Sequence, residues 1–210
     1  MSDSLPVIDA RHAALLVMDL QPGLLDSLAG ADDLLTCAES AIATVRAHGG
    51  QVGYVRVAFE DADYDAMPAT SRMAARLASG GRALHNDSPA TAVHPRIAPQ
   101  PGDIVVRKTR VGAFSTTDLA EQLTERGVTT LILAGVATGG VVLSTVRDAS
   151  DRDFELFVLA DCCADRDPQV HEFLIDRILP RQAHVIRGDD LAKLLEAGHA
   201  TRGARARPTA

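Results

Sequence analysis

The sequence predicts an α/β fold, a three-layer α/β/α sandwich around a mostly parallel sheet of about six strands. Short apolar runs of strand length alternate with segments that carry apolar residues at helical spacing. The apolar runs are continuous, which is typical of parallel strands covered by helices on both faces. The chain has 210 residues, of which 46% are hydrophobic, so it can bury one sizeable core. Because no repeat or linker interrupts the pattern, we expect a single domain over 1–198 and a flexible tail over 199–210.

Six apolar segments predict the strands. The first, over 13–18, is a continuous apolar run that ends at Asp19. The others are predicted over 51–59, 103–108, 131–134, 155–159 and 184–186.

Helices are predicted between these strands. The first covers 32–48, where apolar residues recur at helical spacing until Gly49 and Gly50 end the helix. Proline in the first turn marks another helix over 168–178, and Thr116 or Thr117 caps one that reaches Arg126. The remaining helices are expected over 140–152 and 189–197. Residues 60–100 are predicted to be irregular apart from a short helix over 71–78, and a loop of this length usually covers a site or makes an interface.

Composition excludes several classes of partner. With 21 basic against 28 acidic residues the formal charge is −7, which argues against nucleic acid or an anionic membrane. No apolar run reaches the roughly 18 residues of a membrane span, and the N-terminus lacks the pattern of a signal peptide. Cys37, Cys162 and Cys163 are too few and too oddly spaced for a disulfide framework. We therefore expect a reduced, cytoplasmic protein in which Cys37 serves only packing.

Three positions at the carboxyl ends of strands are candidates for a site, because ligands of open parallel sheets bind at that edge. They are Asp19, Lys108 and the small-residue turn over 136–141. A partly buried carboxylate beside a lysine can transfer a proton and stabilise the resulting charge. Two structural alternatives stay open: Asp19 is also a suitable turn residue, and Lys108 also suits the polar end of an edge strand.

Three motifs in the same order carry a family resemblance. They are Val17-Met-Asp-Leu-Gln21, the segment 101–108 followed by Ala113-Phe-Ser, and Gly135-Val-Ala-Thr-Gly-Gly-Val-Val-Leu-Ser-Thr145. From about residue 12 to 188 the chain resembles the isochorismatase-like hydrolase superfamily, which has a Rossmann-like fold. The sequence departs from that pattern at Val141, where most members carry a nucleophilic cysteine.

The resemblance implies roles for particular residues. Asp19 and Lys108 match the catalytic aspartate and lysine. It implies a cis peptide between Val136 and Ala137, and an oxyanion site at the N–H groups near Gly140 and Val141. The residues expected to bind substrate or form the oxyanion site are Gln21, Phe114, Val136, Ala137, Thr138, Gly140 and Val141. It also implies a homodimer or homotetramer, with 60–100 as interface or lid.

The absence of a thiol at position 141 rules out the acyl-enzyme route of the family's amidohydrolases. We do not expect Cys162 or Cys163 to replace it, since cysteines are commonly buried and inert. Isochorismatase provides a precedent without the thiol, with the aspartate as general acid. The leading hypothesis is a cysteine-independent hydrolase of a small organic substrate, with Asp19 as acid or base. Two alternatives remain: an amidohydrolase whose water is activated by Asp19, and a non-catalytic binding or scaffold protein.

No metal or other cofactor is expected. The resemblance places a zinc site of some relatives in the stretch 55–63, after the second strand. Here that stretch holds carboxylates but no histidine, and neutral imidazole is a preferred zinc ligand. The sequence therefore predicts an enzyme acting on a small molecule with its own side chains.

Overall fold

The sheet is parallel throughout and follows the predicted alternation. The computed structural model describes residues 6–205. Within that range six strands form one sheet in the order β3-β2-β1-β4-β5-β6. Every neighbouring pair is parallel. The strands are β1 (Ala13–Met18), β2 (Gln51–Val57), β3 (Ile104–Lys108), β4 (Thr130–Val136), β5 (Glu155–Ala164) and β6 (His184–Ile186).

Helices connect the strands and cover both faces of the sheet. Eight α-helices lie within the described range: α1 (Pro22–Leu25), α2 (Ala31–Ala47), α3 (Asp61–Asp65), α4 (Arg72–Gly80), α5 (Leu119–Glu125), α6 (Leu143–Ser150), α7 (Pro168–Phe173) and α8 (Gly188–Arg205). One core cluster joins buried residues of α2 and α8 to one face of the sheet. A second joins α5 and α6 to the other face. The α/β/α sandwich predicted from the sequence is confirmed.

The strand order places a crevice beside β1. From β1 the chain adds β2 and β3 on one side and then β4, β5 and β6 on the other. The connections leaving β1 and β4 therefore diverge at the carboxyl edge, which is where ligands bind in sheets of this kind. Asp19 follows β1 and the turn after Val136 follows β4, so two of the three predicted positions lie at this switch point.

Some predicted boundaries were wrong. β5 continues five residues beyond Leu159, to Ala164, although Asp161 interrupts its apolar run. Leu133 of β4 pairs with Val158, and the next pair is Gly135 with Cys163. One residue of β4 thus faces a four-residue bulge, 159–162, and a bulge of this kind leaves no apolar signal in the sequence.

Two further segments differ from expectation. Residues 60–100 contain α3 and α4 besides 3₁₀ turns at Pro89–Thr91 and Pro95–Ile97. The last helix, α8, runs to Arg205 and so includes much of the segment predicted as a flexible tail. Positions 206–210 lie outside the described residues.

Cys37 and Cys162 form a disulfide, which corrects the expectation of reduced cysteines. The disulfide joins α2 to the β5 bulge across a sequence separation of 125 residues, with the two Cα atoms 5.4 Å apart. A spacing of this length gives no sequence signal, because only the packing of α2 against β5 brings the residues together. Cys163 is a free, buried cysteine.

Among residues 6–205, no helix is long and apolar enough to cross a membrane.

Candidate active site

Asp19 sits at the end of β1 in an unusual backbone conformation. Its φ is +59°, a left-handed value that costs a non-glycine residue energy and is uncommon outside turns and functional sites. Its N–H donates to the Val55 carbonyl oxygen at 2.7 Å, which ties it to β2, and its own carbonyl accepts from the Gln21 N–H at 2.9 Å. These contacts hold the residue in place, and its side chain is buried with 7% exposure.

Asp19 and Lys108 form a buried ion pair. Lys108 Nζ lies 2.8 Å from Asp19 Oδ2, and the lysine side chain is only 3% exposed. The same Nζ donates to the Arg110 carbonyl oxygen at 3.1 Å. The chain after β3 therefore folds back over the lysine and fixes its position.

Burial changes the acidity of Asp19. Loss of hydration raises the pKa of this carboxyl to about 6, although the charge of Lys108 and its hydrogen bond act in the opposite direction. The second carboxylate oxygen, Oδ1, is buried and accepts no hydrogen bond from the described residues. Burying an oxygen without a hydrogen-bond donor costs free energy, so such an oxygen calls for a functional explanation. Asp19 thus combines a proton affinity suited to neutral pH with an unoccupied acceptor.

Gln21 lies two residues after Asp19, but its side chain binds backbone groups of the protein. Its side-chain nitrogen donates to the carbonyl oxygens of Val57 and Thr91, at 2.9 and 2.7 Å, and its side-chain oxygen accepts from the Val57 N–H at 2.8 Å. The residue is only 1% exposed. These contacts link the ends of β1 and β2 to the segment around Thr91. They do not support the predicted contact with substrate.

The turn after β4 has the backbone expected from the resemblance. The peptide between Val136 and Ala137 is cis. A π-helical turn, Thr138–Val142, follows, with Gly140 in a non-helical conformation (φ −104°, ψ −105°). Gly135, before this turn, has φ +149°, and a Cβ there would lie 2.2 Å from the Met18 carbonyl oxygen. Glycine is therefore needed for β4 to pass beside the end of β1.

Two side chains beyond β5 hold this turn, and the sequence reasoning missed both. Asp165 Oδ2 accepts from the Gly139 N–H at 2.8 Å, and His171 Nδ1 lies 2.8 Å from Thr138 Oγ1. We call Asp165 and His171 the clamp. Both follow a strand at the carboxyl edge, so the rule that selected Asp19 and Lys108 would have selected this segment too had β5 been extended to Ala164.

The geometry narrows the predicted oxyanion site. The Gly140 N–H donates to the Ala137 carbonyl oxygen at 3.0 Å, so it is occupied within the turn. Thr138 is fully buried with its hydroxyl against His171, and Val136 and Val141 are also buried. Of the two N–H groups predicted from the sequence, that of Val141 remains as the candidate donor.

Phe114 does not join the pair. Its ring packs against Phe154, with ring centroids 6.2 Å apart, and the Arg152 guanidinium lies 4.9 Å from its centroid. Arg152 and Phe154 precede β5 and so belong to the opposite edge of the sheet. This position does not support the predicted contact of Phe114 with substrate.

The cysteines provide no nucleophile in this structure. Cys162 is in the disulfide, and burial raises the pKa of the Cys163 thiol to about 12, so this thiol stays protonated and unreactive. The described residues contain one cluster with the ligand types of a metal site, Cys37, Asp161 and Cys162. Two of its three members are joined as the disulfide, and a disulfide lacks the thiolates that bind metal.

The carboxylates after β2 bind arginine. Arg107 contacts Asp63 at 2.5 Å and Glu60 at 3.7 Å. Arg82 contacts Asp61 at 2.6 Å. The acidic stretch after β2 is thus partly neutralised by two arginines.

Fold and site together define an α/β protein with a buried aspartate–lysine ion pair and a cis-peptide turn at the carboxyl edge of its sheet. The chain belongs to the isochorismatase family, since the isochorismatase domain matches residues 13–190. It is 32% identical over 176 residues to the isochorismatase family protein YwoC of Bacillus subtilis. This alignment covers 83% of this chain and 89% of that protein.

Other relatives indicate hydrolases. The chain is 32% identical over 108 residues to the maleamate amidohydrolase of Pseudomonas putida, which covers 51% of each chain. The structure of a cysteine hydrolase from Pseudomonas syringae superimposes with a TM-score of 0.84, covering 94% of this chain and 100% of that one. At 23% identity the latter shows a shared fold. Its relatives therefore identify the protein as an isochorismatase-family hydrolase.

Proposed function

We propose that this protein hydrolyses a small organic substrate without a cysteine nucleophile, with Asp19 transferring the proton and Lys108 as its electrostatic partner. One observation carries the proposal. Asp19 Oδ2 is held by Lys108 while Oδ1 is buried without a partner among the described residues. A carboxylate oxygen in that state is ready to accept a proton from water or to return it to a leaving group.

The amide bond is the first bond to test, because the maleamate amidohydrolase is among the relatives. In this reaction Asp19 takes a proton from water, and the hydroxide oxygen bonds to the carbonyl carbon. The carbonyl oxygen takes the negative charge and accepts a hydrogen bond from the Val141 N–H. The carbonyl then re-forms, the C–N bond breaks and Asp19 returns the proton to the leaving nitrogen. Water is consumed, an acid and an amine are released, and Asp19 ends as it began.

Lys108 keeps Asp19 active as a base. Burial alone would keep the carboxyl protonated, and the ammonium group opposes that effect by favouring the ionised form. A carboxyl with a pKa of about 6 is mostly ionised at neutral pH and still basic enough to accept a proton in the transition state.

A second candidate, a non-catalytic binding protein, is favoured by Val141. The position where most of the family carries its nucleophile holds a valine with 2% exposure. This valine contributes to the core cluster around α5 and α6. It offers no reactive atom, as expected of a protein that only binds its ligand.

The experiment is a hydrolysis screen of small amides, ureides and isochorismate with four proteins: wild type, Asp19→Asn, Val141→Cys and Asp176→Asn. Asp176 is exposed, so Asp176→Asn is a matched change of charge at the surface. We expect wild type and Asp176→Asn to turn over the same compound and Asp19→Asn to lose at least 100-fold in kcat, as for a lost general base (about 10²–10⁴-fold).

Two other results would redirect the proposal. Activity in Asp19→Asn equal to wild type would remove Asp19 from the mechanism. Hydrolysis by Val141→Cys alone would show an intact pocket without native hydrolytic chemistry and would favour the binding protein.

A further inference from the structure

Arg110 occupies a special place beside the proposed site. It follows β3 by two residues, and its carbonyl oxygen accepts the hydrogen bond from Lys108 Nζ at 3.1 Å. Its backbone thus belongs to the same contact network as Asp19. Its side chain is partly buried.

The guanidinium of Arg110 has no anionic partner among the described residues. Its Nη1 donates to the Thr109 carbonyl oxygen at 2.7 Å and contacts the Thr109 hydroxyl oxygen at 3.4 Å, both neutral groups. Within the same part of the chain its Nε and Nη2 make no hydrogen bond to protein. Most of a five-donor group therefore remains available at a partly buried position.

Asp63 lies within electrostatic reach of Arg110 but is already occupied. Asp63 binds Arg107 at 2.5 Å and also accepts from the Glu60 N–H at 2.9 Å. The pKa of Asp63 is lowered: burial would raise it, but the bonds from Glu60 and Arg107 and the charges of Arg107 and Arg110 outweigh burial. Arg110 is thus near enough to act on Asp63 electrostatically but forms no ion pair with it.

The other arginines of this region provide a contrast. Arg107 and Arg82 each bind a carboxylate, as described above. Arg56 donates to the Asn86 side-chain oxygen at 2.7 Å and to the Thr91 carbonyl oxygen at 3.3 Å. In this set Arg110 alone has contacts confined to the residue beside it. Because the Asp19–Lys108 pair is neutral as a unit, Arg110 adds a positive charge on the segment whose backbone contacts Lys108.

We propose that Arg110 binds a carboxylate group of the substrate and so selects small organic acids over neutral analogues. The fork of N–H donors of a guanidinium matches the two oxygens of a carboxylate, and such charge-assisted pairs are stronger than neutral hydrogen bonds. Arg110 then determines specificity by holding the acid group while the bond to be cleaved lies at Asp19. The inference rests on the proposed function for the location of the substrate, but its test does not require turnover.

The test is calorimetric binding of maleamate and of maleamide, in which a neutral amide replaces the carboxylate. Wild type is expected to bind maleamate about 10- to 100-fold more tightly than maleamide, as for a charge-assisted hydrogen bond. Arg110→Gln is expected to bind the two compounds equally. Arg110→Lys keeps the charge without the fork and should retain part of the preference. Arg126→Gln is the matched control, because Arg126 follows α5 and only donates to the Gln122 carbonyl oxygen within the described residues.

Equal affinities of wild type for the two compounds, including no binding of either, would overturn the inference. So would a preference for maleamate that survives in Arg110→Gln. A preference that disappears in Arg110→Gln, without ammonia release by wild type, would leave Arg110 as the carboxylate site and refute the hydrolase. Ammonia release with no effect of Arg110→Gln would leave the hydrolase and refute the carboxylate site.

Discussion

At the scale of single residues, the proposed function depends on the state of Asp19. Its carboxyl is buried, paired on one oxygen with Lys108 and unpartnered on the other within the described residues. Neither burial nor charge alone produces this state, since burial raises the pKa and Lys108 lowers it. The outcome is a carboxyl that changes protonation at about pH 6.

The first prediction concerns pH. If Asp19 is the base of amide hydrolysis, its ionised form is active, and this form is populated above its pKa. We therefore expect kcat/KM to rise about tenfold per pH unit below pH 6 and to level off above it, because this quantity reports the free enzyme. A profile that falls through pH 6 would instead assign Asp19 as a general acid. The residual rate of Asp19→Asn should lack this inflection.

At the scale of elements, β4 and the turn after it form the most constrained part of the molecule. β4 is buried along its whole length and passes beside β1 at Gly135. The turn that follows is held by Asp165 and His171 from the segment beyond β5. Three strands thus contribute to the position of one turn, and the geometry at the site depends on all of them.

The second prediction tests the close approach of β4 and β1. Gly135→Ala would place a Cβ 2.2 Å from the Met18 carbonyl oxygen, at a φ that alanine rarely adopts. We expect a loss of about 3–5 kcal/mol in the free energy of unfolding, the range of severe core strain, measured by urea denaturation. Gly80→Ala is the control, because it lies in α4 with nothing within 4 Å and should be neutral or stabilising. A similar small effect for both variants would contradict the expectation.

The third prediction concerns the clamp. His171→Ala removes the partner of the Thr138 hydroxyl and should lower kcat about tenfold or more by loosening the turn, with KM changing less. His171→Asn, which can still offer a polar atom to Thr138, should recover part of the activity. Kinetics on the substrate found by the screen would measure both effects. Equal losses in the two variants, tracking a fall in melting temperature, would instead indicate a purely structural role.

At the scale of the whole molecule, contacts between distant segments shape both the site and the stability. The disulfide joins residues separated by 125 positions and connects α2 to the β5 bulge. That bulge leads within three residues to Asp165 of the clamp. The covalent link and the site therefore belong to neighbouring parts of one chain segment.

The fourth prediction concerns this link. Reducing the disulfide should lower the free energy of unfolding by about 2–4 kcal/mol, because the unfolded chain regains a long open loop. Guanidinium denaturation with and without reductant measures the change. The double variant Cys37→Ser/Cys162→Ser is the control and should not respond to reductant. Three titratable thiols in unfolded wild type without reductant would show that the disulfide does not form.

The fifth prediction concerns self-association, which the family resemblance suggests. We propose a homodimer or homotetramer that uses the segment 60–100. We select the groove between α3 and α4 as the contact surface between the chains. It has a volume of about 600 Å³, and Met67 and Leu77 lie in its wall. Light scattering should give the mass of two or four chains, and Ala78→Arg, which places a charge in that groove, should give one. A monomeric wild type would refute the proposal.

Sequence pattern predicted which charged residues meet at the carboxyl edge of the sheet, where they form the ion pair. Asp19 and Lys108 were found because each ends a strand, and the carboxyl ends of parallel strands share one edge. Gln21 and Phe114 follow the same two strands in the sequence, yet Gln21 binds backbone and Phe114 packs against Phe154. The direction of a side chain depends on its neighbours in space, which a pattern in sequence does not contain.

The sequence by itself determined the class of fold and the six strands, because hydrophobic periodicity is a local property of the chain. It also placed the two charged residues of the proposed site at strand ends. Only the tertiary structure decided the protonation of Asp19, the clamp on the turn, the Cys37–Cys162 link and the unpaired state of Arg110 among the described residues. Each of these results from atoms far apart in sequence meeting in a medium of low dielectric constant. In such a medium, gaining or losing one charged partner changes both the ionisation of a side chain and its reactivity.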